Sequence, residues 1–213
     1  MLWIEKYRPR TLDEIKGQSS SIKRLKEKIK KKDITHLIFK GPQGTGKTTS
    51  ALVIAKVMFG DNWKMNFKEL NAGDERKIQD MRGTVKTYVR YAPLVGDQKI
   101  LFLDEAEALT EDSQKLLNRL MEKYGNKCKF ILTCNNVEKL NETIRSRCTE
   151  YQFSPLSEED ILERLREIAN IETLNISETA LLNIAKKSKG DLRRAINFLQ
   201  MNNTEYNELF QNF

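Results

Sequence analysis

"HLIFKGPQGTGKTTSALVIAKVMFG", residues 36–60, passes from an apolar run to a glycine-rich turn and then to helical spacing. His36–Lys40 has the length and apolar density of a short buried strand. The turn after it matches G-x-x-x-x-G-K-[ST] at Gly41, Gly46, Lys47 and Thr48. Leu52, Ile54 and Val57 then recur at helical intervals, and Gly60 supplies a stop. Strand, loop and helix in that order are what a phosphate-binding loop needs. Glycines let backbone N–H groups face an anion, and the helix N-terminus adds partial positive charge. The expected nucleotide-binding set is Gly41, Pro42, Gln43, Gly44, Thr45, Gly46, Lys47, Thr48 and Thr49. Lys47 would neutralise β- and γ-phosphate oxygens, and Thr48 would hold Mg²⁺.

Downstream, "KILFLDEAE" (99–107) opens with a run that suits a central parallel strand buried on both faces. A carboxylate at the end of such a strand lies beside the phosphate loop in folds of this kind. Asp104 is therefore placed for the Mg²⁺ shell, and Glu105 for polarising an attacking water. The adjacent Asp-Glu pair, and the absence of an N-K-x-D string, favour ATP over GTP. "KFILTCN" (129–135) is another buried strand, and Asn135 at its end can orient water and sense a γ-phosphate. "FKELN" (67–71) and "TEYQF" (149–153) complete five strands.

The intervening helical patterns predict a five-stranded parallel α/β sheet covered on both faces. "TEDSQKLLNRLMEKYG" is a helix opened by Thr110 and closed at Gly125, and "ERKIQDMRGTVKTYVRYA" is another. "SSSIKRLKEKIKKKD" is an amphipathic helix with a basic exposed face. After Phe153 the strands stop. Pro155 breaks the chain, Ser157–Asp160 resembles a capping box, and two further helices follow. The expected division is a nucleotide domain at 1–153, a small all-helical domain at 154–203 and a short tail at 204–213.

Across 213 residues, 37 basic and 30 acidic side chains give a net charge of +7, which favours polyanionic partners without naming one. No stretch approaches the roughly 20 apolar residues that span a bilayer. The charged start, "MLWIEKYRPR", does not suit a secretory leader, so an intracellular protein without membrane partners is expected. The three cysteines (Cys128, Cys134, Cys148) and the single His36 supply neither a disulfide framework nor a zinc set. "RSRC" (145–148) places two guanidiniums around one serine, a fork shaped for carboxylate or phosphate.

"WIEKYRP", "GPQGTGKTT", "FLDEAEALT", "CNN", "RSRC" and "GDLRRAINFLQ" occur in the order and spacing of AAA+ clamp-loader small subunits. The sequence resembles the replication factor C small-subunit family of archaea and eukaryotes over about residues 3–200. The resemblance implies an AAA+ sheet domain followed by a helical lid. It implies an Mg²⁺-dependent ATPase that couples ATP binding to opening of a sliding clamp and to primer–template DNA binding in replication. Ile4 and Arg8 would line the adenine side. Arg193 would be a sensor arginine on the γ-phosphate of its own chain's ATP, and Arg147 an arginine finger for the neighbouring subunit's ATP. The alternative readings of these arginines are an Arg147 pair with Glu150 and a solvated Arg193.

The implied partners are a clamp of the PCNA type, contacted around 111–124, together with a large subunit and other small subunits. The location would be the cytoplasm of a prokaryote or the nucleus of a eukaryote. A basic helix face at Lys77, Arg82 and Lys86 would track DNA phosphates independently of sequence. A second expectation is a non-catalytic subunit that holds ATP structurally and donates only Arg147. A branch-migration helicase is disfavoured by "SRC". Five positions depart from the family pattern: Gln43 for proline, Gly73 and Lys77 in "NAGDERKI", Glu107 in "DEAE", and Asn118 for arginine. The family's third, helical collar domain does not follow the lid, which predicts a monomer or weak oligomer with low intrinsic ATPase.

Overall fold

The computed structural model describes residues 1–31, 34–73, 78–94 and 96–210, of which 78–82 and 203–210 are described as backbone only. The packing divides the chain into two compact units, one of 20–41 and 47–153 and one of 1–19, 42–46 and 154 onward.

The first unit is built on a parallel sheet in the order β2-β3-β4-β1-β5. Its strands are β1 (His36–Lys40), β2 (Phe67–Asn71), β3 (Lys99–Asp104), β4 (Cys128–Cys134) and β5 (Cys148–Gln152). All four pairings are parallel, and the register sets Asn71 beside Asp104 and Lys40 beside Cys134 and Gln152. The carboxyl ends of the strands therefore share one edge. The expected five-stranded sheet is present, each strand starting within one residue of its expected position.

Ile100, Leu101, Phe102 and Leu103 are all but inaccessible, as are Phe130, Ile131 and Leu132 on β4. Side chains on both faces of these central strands meet other protein atoms, which is why β3 reads as continuously apolar rather than alternating. Burial of each such side chain is worth about 1.5–3 kcal/mol. The helices of this unit are α2 (Ser19–Lys30), α3 (Lys47–Phe59), α4 (Ile78–Arg90), α5 (Glu111–Tyr124) and the short α6 (Glu142–Arg145). Local chemistry sets their starts. Thr110 accepts the Ser113 N–H ahead of α5, and Asn141 accepts the Ile144 N–H ahead of α6.

The second unit contains the short α1 (Trp3–Lys6), α7 (Glu158–Ile171), α8 (Glu178–Ser188) and α9 (Leu192–Phe210). Ser157 and Ser177 cap α7 and α8 through the N–H groups of Asp160 and Ala180. At Ser157 the acidic partner does not reach back to the backbone; its carboxylate accepts the serine hydroxyl at 2.6 Å instead. Residues 204–210, expected as a tail, continue α9.

The N-terminal segment, expected with the sheet, belongs to this helical unit. Trp3 and Tyr7 are buried among Leu156, Ile161, Leu165 and Leu199. Trp3 N–H donates to Gln200 Oε1 at 2.8 Å, and Arg164 donates to the Tyr7 carbonyl at 2.7 Å. The two large aromatics of "WIEKYRP" are core side chains of the helical unit, and that packing outweighs their nearness in sequence to the sheet.

Candidate active site

In the sheet unit the loop begins at Gly41, whose φ of +144° brings it so close to β5 that a Cβ would lie 1.9 Å from the Phe153 carbonyl oxygen. Only glycine fits there. Its N–H donates to the Cys134 carbonyl at 3.1 Å, which ties the loop entrance to the end of β4. Lys47 opens α3 and is buried. Its ammonium donates to the Gly41 carbonyl at 2.5 Å and to Asn135 Oδ1 at 3.1 Å. The next residue, Thr48, donates through Oγ1 to Asp104 Oδ2 at 3.1 Å. Lys47, Thr48, Asp104 and Asn135 thus meet at the carboxyl ends of β1, β3 and β4, three strands that are neighbours in the sheet but distant in sequence.

Two residues outside the expected site set, Thr133 and Glu107, hold this group in place. Thr133, inside β4, donates its hydroxyl to Asp104 Oδ1 and accepts the Glu105 N–H at 3.1 Å. One hydroxyl thus fixes the carboxylate and the peptide after it. The signal for Thr133 in the sequence is a lone hydroxyl directly after the apolar run Phe130–Leu132. Glu107 accepts the Asn135 N–H at 2.8 Å through Oε1, while its buried Oε2 has no hydrogen-bond partner. The departure from aspartate at 107 thus supplies the reach to position the backbone of Asn135.

Glu105 is exposed and adopts the left-handed conformation, φ 55°, ψ 43°. For a residue with a Cβ this costs on the order of 1–3 kcal/mol and is concentrated at functional sites. Its Oε2 lies 2.5 Å from where a Cβ on Gly73 would stand. The glycine at position 73, another departure, therefore gives the Glu105 carboxylate room.

A magnesium ion takes oxygen ligands, and a threonine hydroxyl beside a carboxylate is such a donor pair. Thr48 and Asp104 fit that requirement. Among the described residues no cluster of three or more histidine, cysteine or acidic side chains offers a different metal site.

The paired arginines behave differently from the sequence alternative. Arg145 Nε donates to Glu150 Oε1 at 3.2 Å and its NH1 to Glu138 Oε2 at 2.8 Å, while Lys40 takes the other oxygen of Glu150 at 2.7 Å. These hydrogen bonds, Lys40 first, hold the Glu150 carboxyl below its usual range. The expected alternative, Arg147 with Glu150, does not form, because Glu150 is already shared by Lys40 and Arg145. Arg147 is exposed, pairs with Glu122 on α5 and donates to the Thr143 carbonyl at 3.3 Å.

In the helical unit, Thr45 is buried and donates to the Pro42 carbonyl at 2.9 Å, bracing the loop segment. Arg193 is exposed on the first turn of α9, as the solvated alternative also requires. Ile4 packs against the helical core, and Arg8 pairs with Glu5 through Nε at 3.2 Å and NH2 at 2.5 Å. Neither contact bears on an adenine. Of the DNA-facing candidates, Lys77 lies outside the described residues, the side chain of Arg82 is not described, and Lys86 is exposed on α4.

Burial pushes the thiols of Cys128, Cys134 and Cys148 up to about 12, which disfavours the nucleophilic thiolate. Among the described residues no helix is long and apolar enough to cross a membrane.

The family described as ATPase family associated with various cellular activities (AAA) matches residues 37–156, and the RCF1/5-like AAA+ ATPase lid domain matches 163–201. The replication factor C small subunit of Archaeoglobus fulgidus is 50% identical over 200 residues, which covers 93% of this chain and 63% of that protein. That of Methanococcus vannielii is 48% identical with the same coverage. The chain therefore spans just under two thirds of the length of these relatives. Among solved structures, the RuvB Holliday junction branch migration motor of Thermotoga maritima superposes with a TM-score of 0.73. It is 24% identical, over 91% of this chain and 64% of that one, a likeness of fold.

Proposed function

Since the chain belongs to the AAA family of ATPases, we propose that it binds and hydrolyses ATP with Mg²⁺ as a small subunit of a sliding-clamp loader. The observation that carries the reading is the direct hydrogen bonding of Lys47 with Asn135 and of Thr48 with Asp104 at one edge of the sheet. An ammonium, a hydroxyl, a carboxylate and an amide at that edge suit a triphosphate and its metal. Thr48 and Asp104 would hold Mg²⁺, which would supply neutralisation of the triphosphate charge.

Glu105 accepts the proton of the attacking water, and Asn135 orients that water. Thr133 and Glu107 keep Asp104 and Asn135 in register. Arg193 senses the γ-phosphate within the chain, and Ile4 and Arg8 serve the adenine side. Arg147 acts on the ATP of a neighbouring subunit, for which it must leave Glu122. That ion pair is solvent-exposed and worth no more than about 1 kcal/mol, so a phosphate can displace it. The partners are a clamp of the PCNA type, the other loader subunits and primer–template DNA, the last through Lys77, Arg82 and Lys86. ATP binding drives clamp opening and DNA capture, and hydrolysis releases both.

Calorimetry of the chain with Mg·ATP, beside Lys47→Ala, tests the core of this reading. Uptake in the parent and its loss in the variant are expected; equal affinities would refute it. Stimulation of ATP turnover by clamp and primed DNA tests the loader assignment, and its absence with a complete set of partner subunits would remove it.

A further inference from the structure

We infer that Asp191 is a positioning residue that clamps the phosphate-loop segment 42–46 to the first turn of α9 and thereby sets the place of Arg193. The inference rests on the ATP-binding reading above and deepens it. It names what lets the chain distinguish a nucleoside triphosphate from a diphosphate.

Gly44 has φ +71°, and a Cβ built on it would stand 1.7 Å from Asp191 Oδ1 and 2.3 Å from Asp191 Cγ. The carboxylate fills the volume that any other residue at 44 would need. Leu192, the first residue of α9, donates its N–H to the Gly44 carbonyl at 3.2 Å. The same Asp191 Oδ1 accepts the Arg194 N–H at 3.0 Å, and the Asp191 carbonyl accepts the Ala195 N–H at 3.1 Å. A residue that merely capped α9 would have no reason to approach the loop, since serine, threonine or asparagine caps as well. Here one side chain both caps the helix and lies against the loop, while the adjacent N–H spends an otherwise orphan helix donor on a loop carbonyl.

The geometry has a directional consequence. In a trans peptide the carbonyl of one residue and the N–H of the next point in opposite directions. With the Gly44 carbonyl turned to α9, the Thr45 N–H points away from it, free of the helix and available to an anion. Arg193 follows Leu192 directly, so the turn that orients the loop amide also carries the arginine. Loop and arginine are set by one rigid joint.

The test is the dissociation constant for Mg·ATP and for Mg·ADP, measured on the full chain. Asp191→Ser retains an N-cap oxygen, so α9 persists, but it has no counterpart of the Oδ1 that stands nearest the Gly44 Cβ position, so the contact with the loop is reduced. It is expected to reduce the preference for ATP over ADP by about tenfold, as the loss of one charged hydrogen bond would. Arg193→Ala is expected to do the same, and the double variant to be no worse than either single one. Asp191→Asn, which keeps both length and cap, restores the preference. An equal loss for both nucleotides, or a parental ratio in Asp191→Ser beside a lost ratio in Arg193→Ala, overturns the inference.

Should the parent bind neither nucleotide, the functional reading falls, and thermal melting then decides the clamp alone. Gly44→Ala is expected to lower the melting temperature more in the parent than in Asp191→Ser. Equal drops would show that no such contact exists.

Discussion

Polar groups stand at both ends of β1, β3 and β4, and the two ends use them in opposite ways. At the carboxyl ends, Lys47, Thr48, Asp104, Thr133 and Asn135 bond one another through side chains, and Lys47 in addition bonds the Gly41 carbonyl. At the amino ends, polar side chains bond backbone. Lys99 is 2% exposed, lies 4.5 Å from the Tyr88 ring centroid and donates to the carbonyls of Tyr88 and, at 2.5 Å, Tyr91, closing the last turn of α4. His36 accepts the Phe130 N–H at 3.2 Å on Nδ1 and is hydrogen-bonded to the Met121 backbone near the end of α5. A buried lysine therefore occurs at each end of the sheet. Lys99 has its donors committed to main-chain carbonyls and stabilises the fold. Lys47 stands among groups able to exchange a hydrogen bond for a ligand.

Substitutions can break this contrast, and the largest effect is expected at Glu105. Glu105→Gln should lower ATP turnover by about 10²–10⁴-fold while leaving Mg·ATP binding and melting temperature in place. Turnover absent from parent and variant alike would assign the chain to the non-catalytic class instead, and full turnover in the variant would remove Glu105 as the base.

The amino end should respond to acid. Burial foremost, then the charge of Lys129, lowers the His36 pKa from 6.5 to about 4. Between those values the unfolded chain binds a proton that the folded chain refuses. The contribution is thus fully present above about pH 6.5 and is lost as the pH falls through about 4, on the order of 3 kcal/mol in all. Urea midpoints across that range, compared with those of His36→Gln, should show the slope in the parent and a flatter profile in the variant.

At Lys99, replacement by methionine leaves two carbonyls unpaired and should cost about 1–3 kcal/mol of stability without altering nucleotide affinity. A shift in Mg·ATP affinity would mean that the two ends are coupled. Smallest of all, Gly73→Ser pushes on Glu105 Oε2 and on Asn71 Oδ1, which lies 3.2 Å from the new Cβ. A turnover loss of several-fold with unchanged affinity is expected, and unchanged turnover would show that Glu105 has slack.

How much of this was legible follows from the range of each interaction. The strand–loop–helix of 36–60, the buried run of β3 and the caps at Thr110 and Ser157 are local patterns, and all were readable. Thr133 and Glu107 acquire meaning only when β3 and β4 lie side by side, an adjacency the sequence does not state. The partner of Arg147 is 25 positions away on α5, whereas Glu150 is nearby and misleads. Residues 1–19 precede the sheet residues directly in sequence, yet burial of Trp3 and Tyr7 groups them with α7–α9. Lys99 looks like a solvent-facing charge until the carbonyls at the end of α4 come over it.

The three sheltered thiols have a practical corollary. Because burial disfavours the thiolate at each, maleimide probes should react with the native chain more slowly than with a fully exposed cysteine. A single cysteine introduced at an exposed position such as Gln43 would then report on the loop alone, with the wild-type sequence as its own blank.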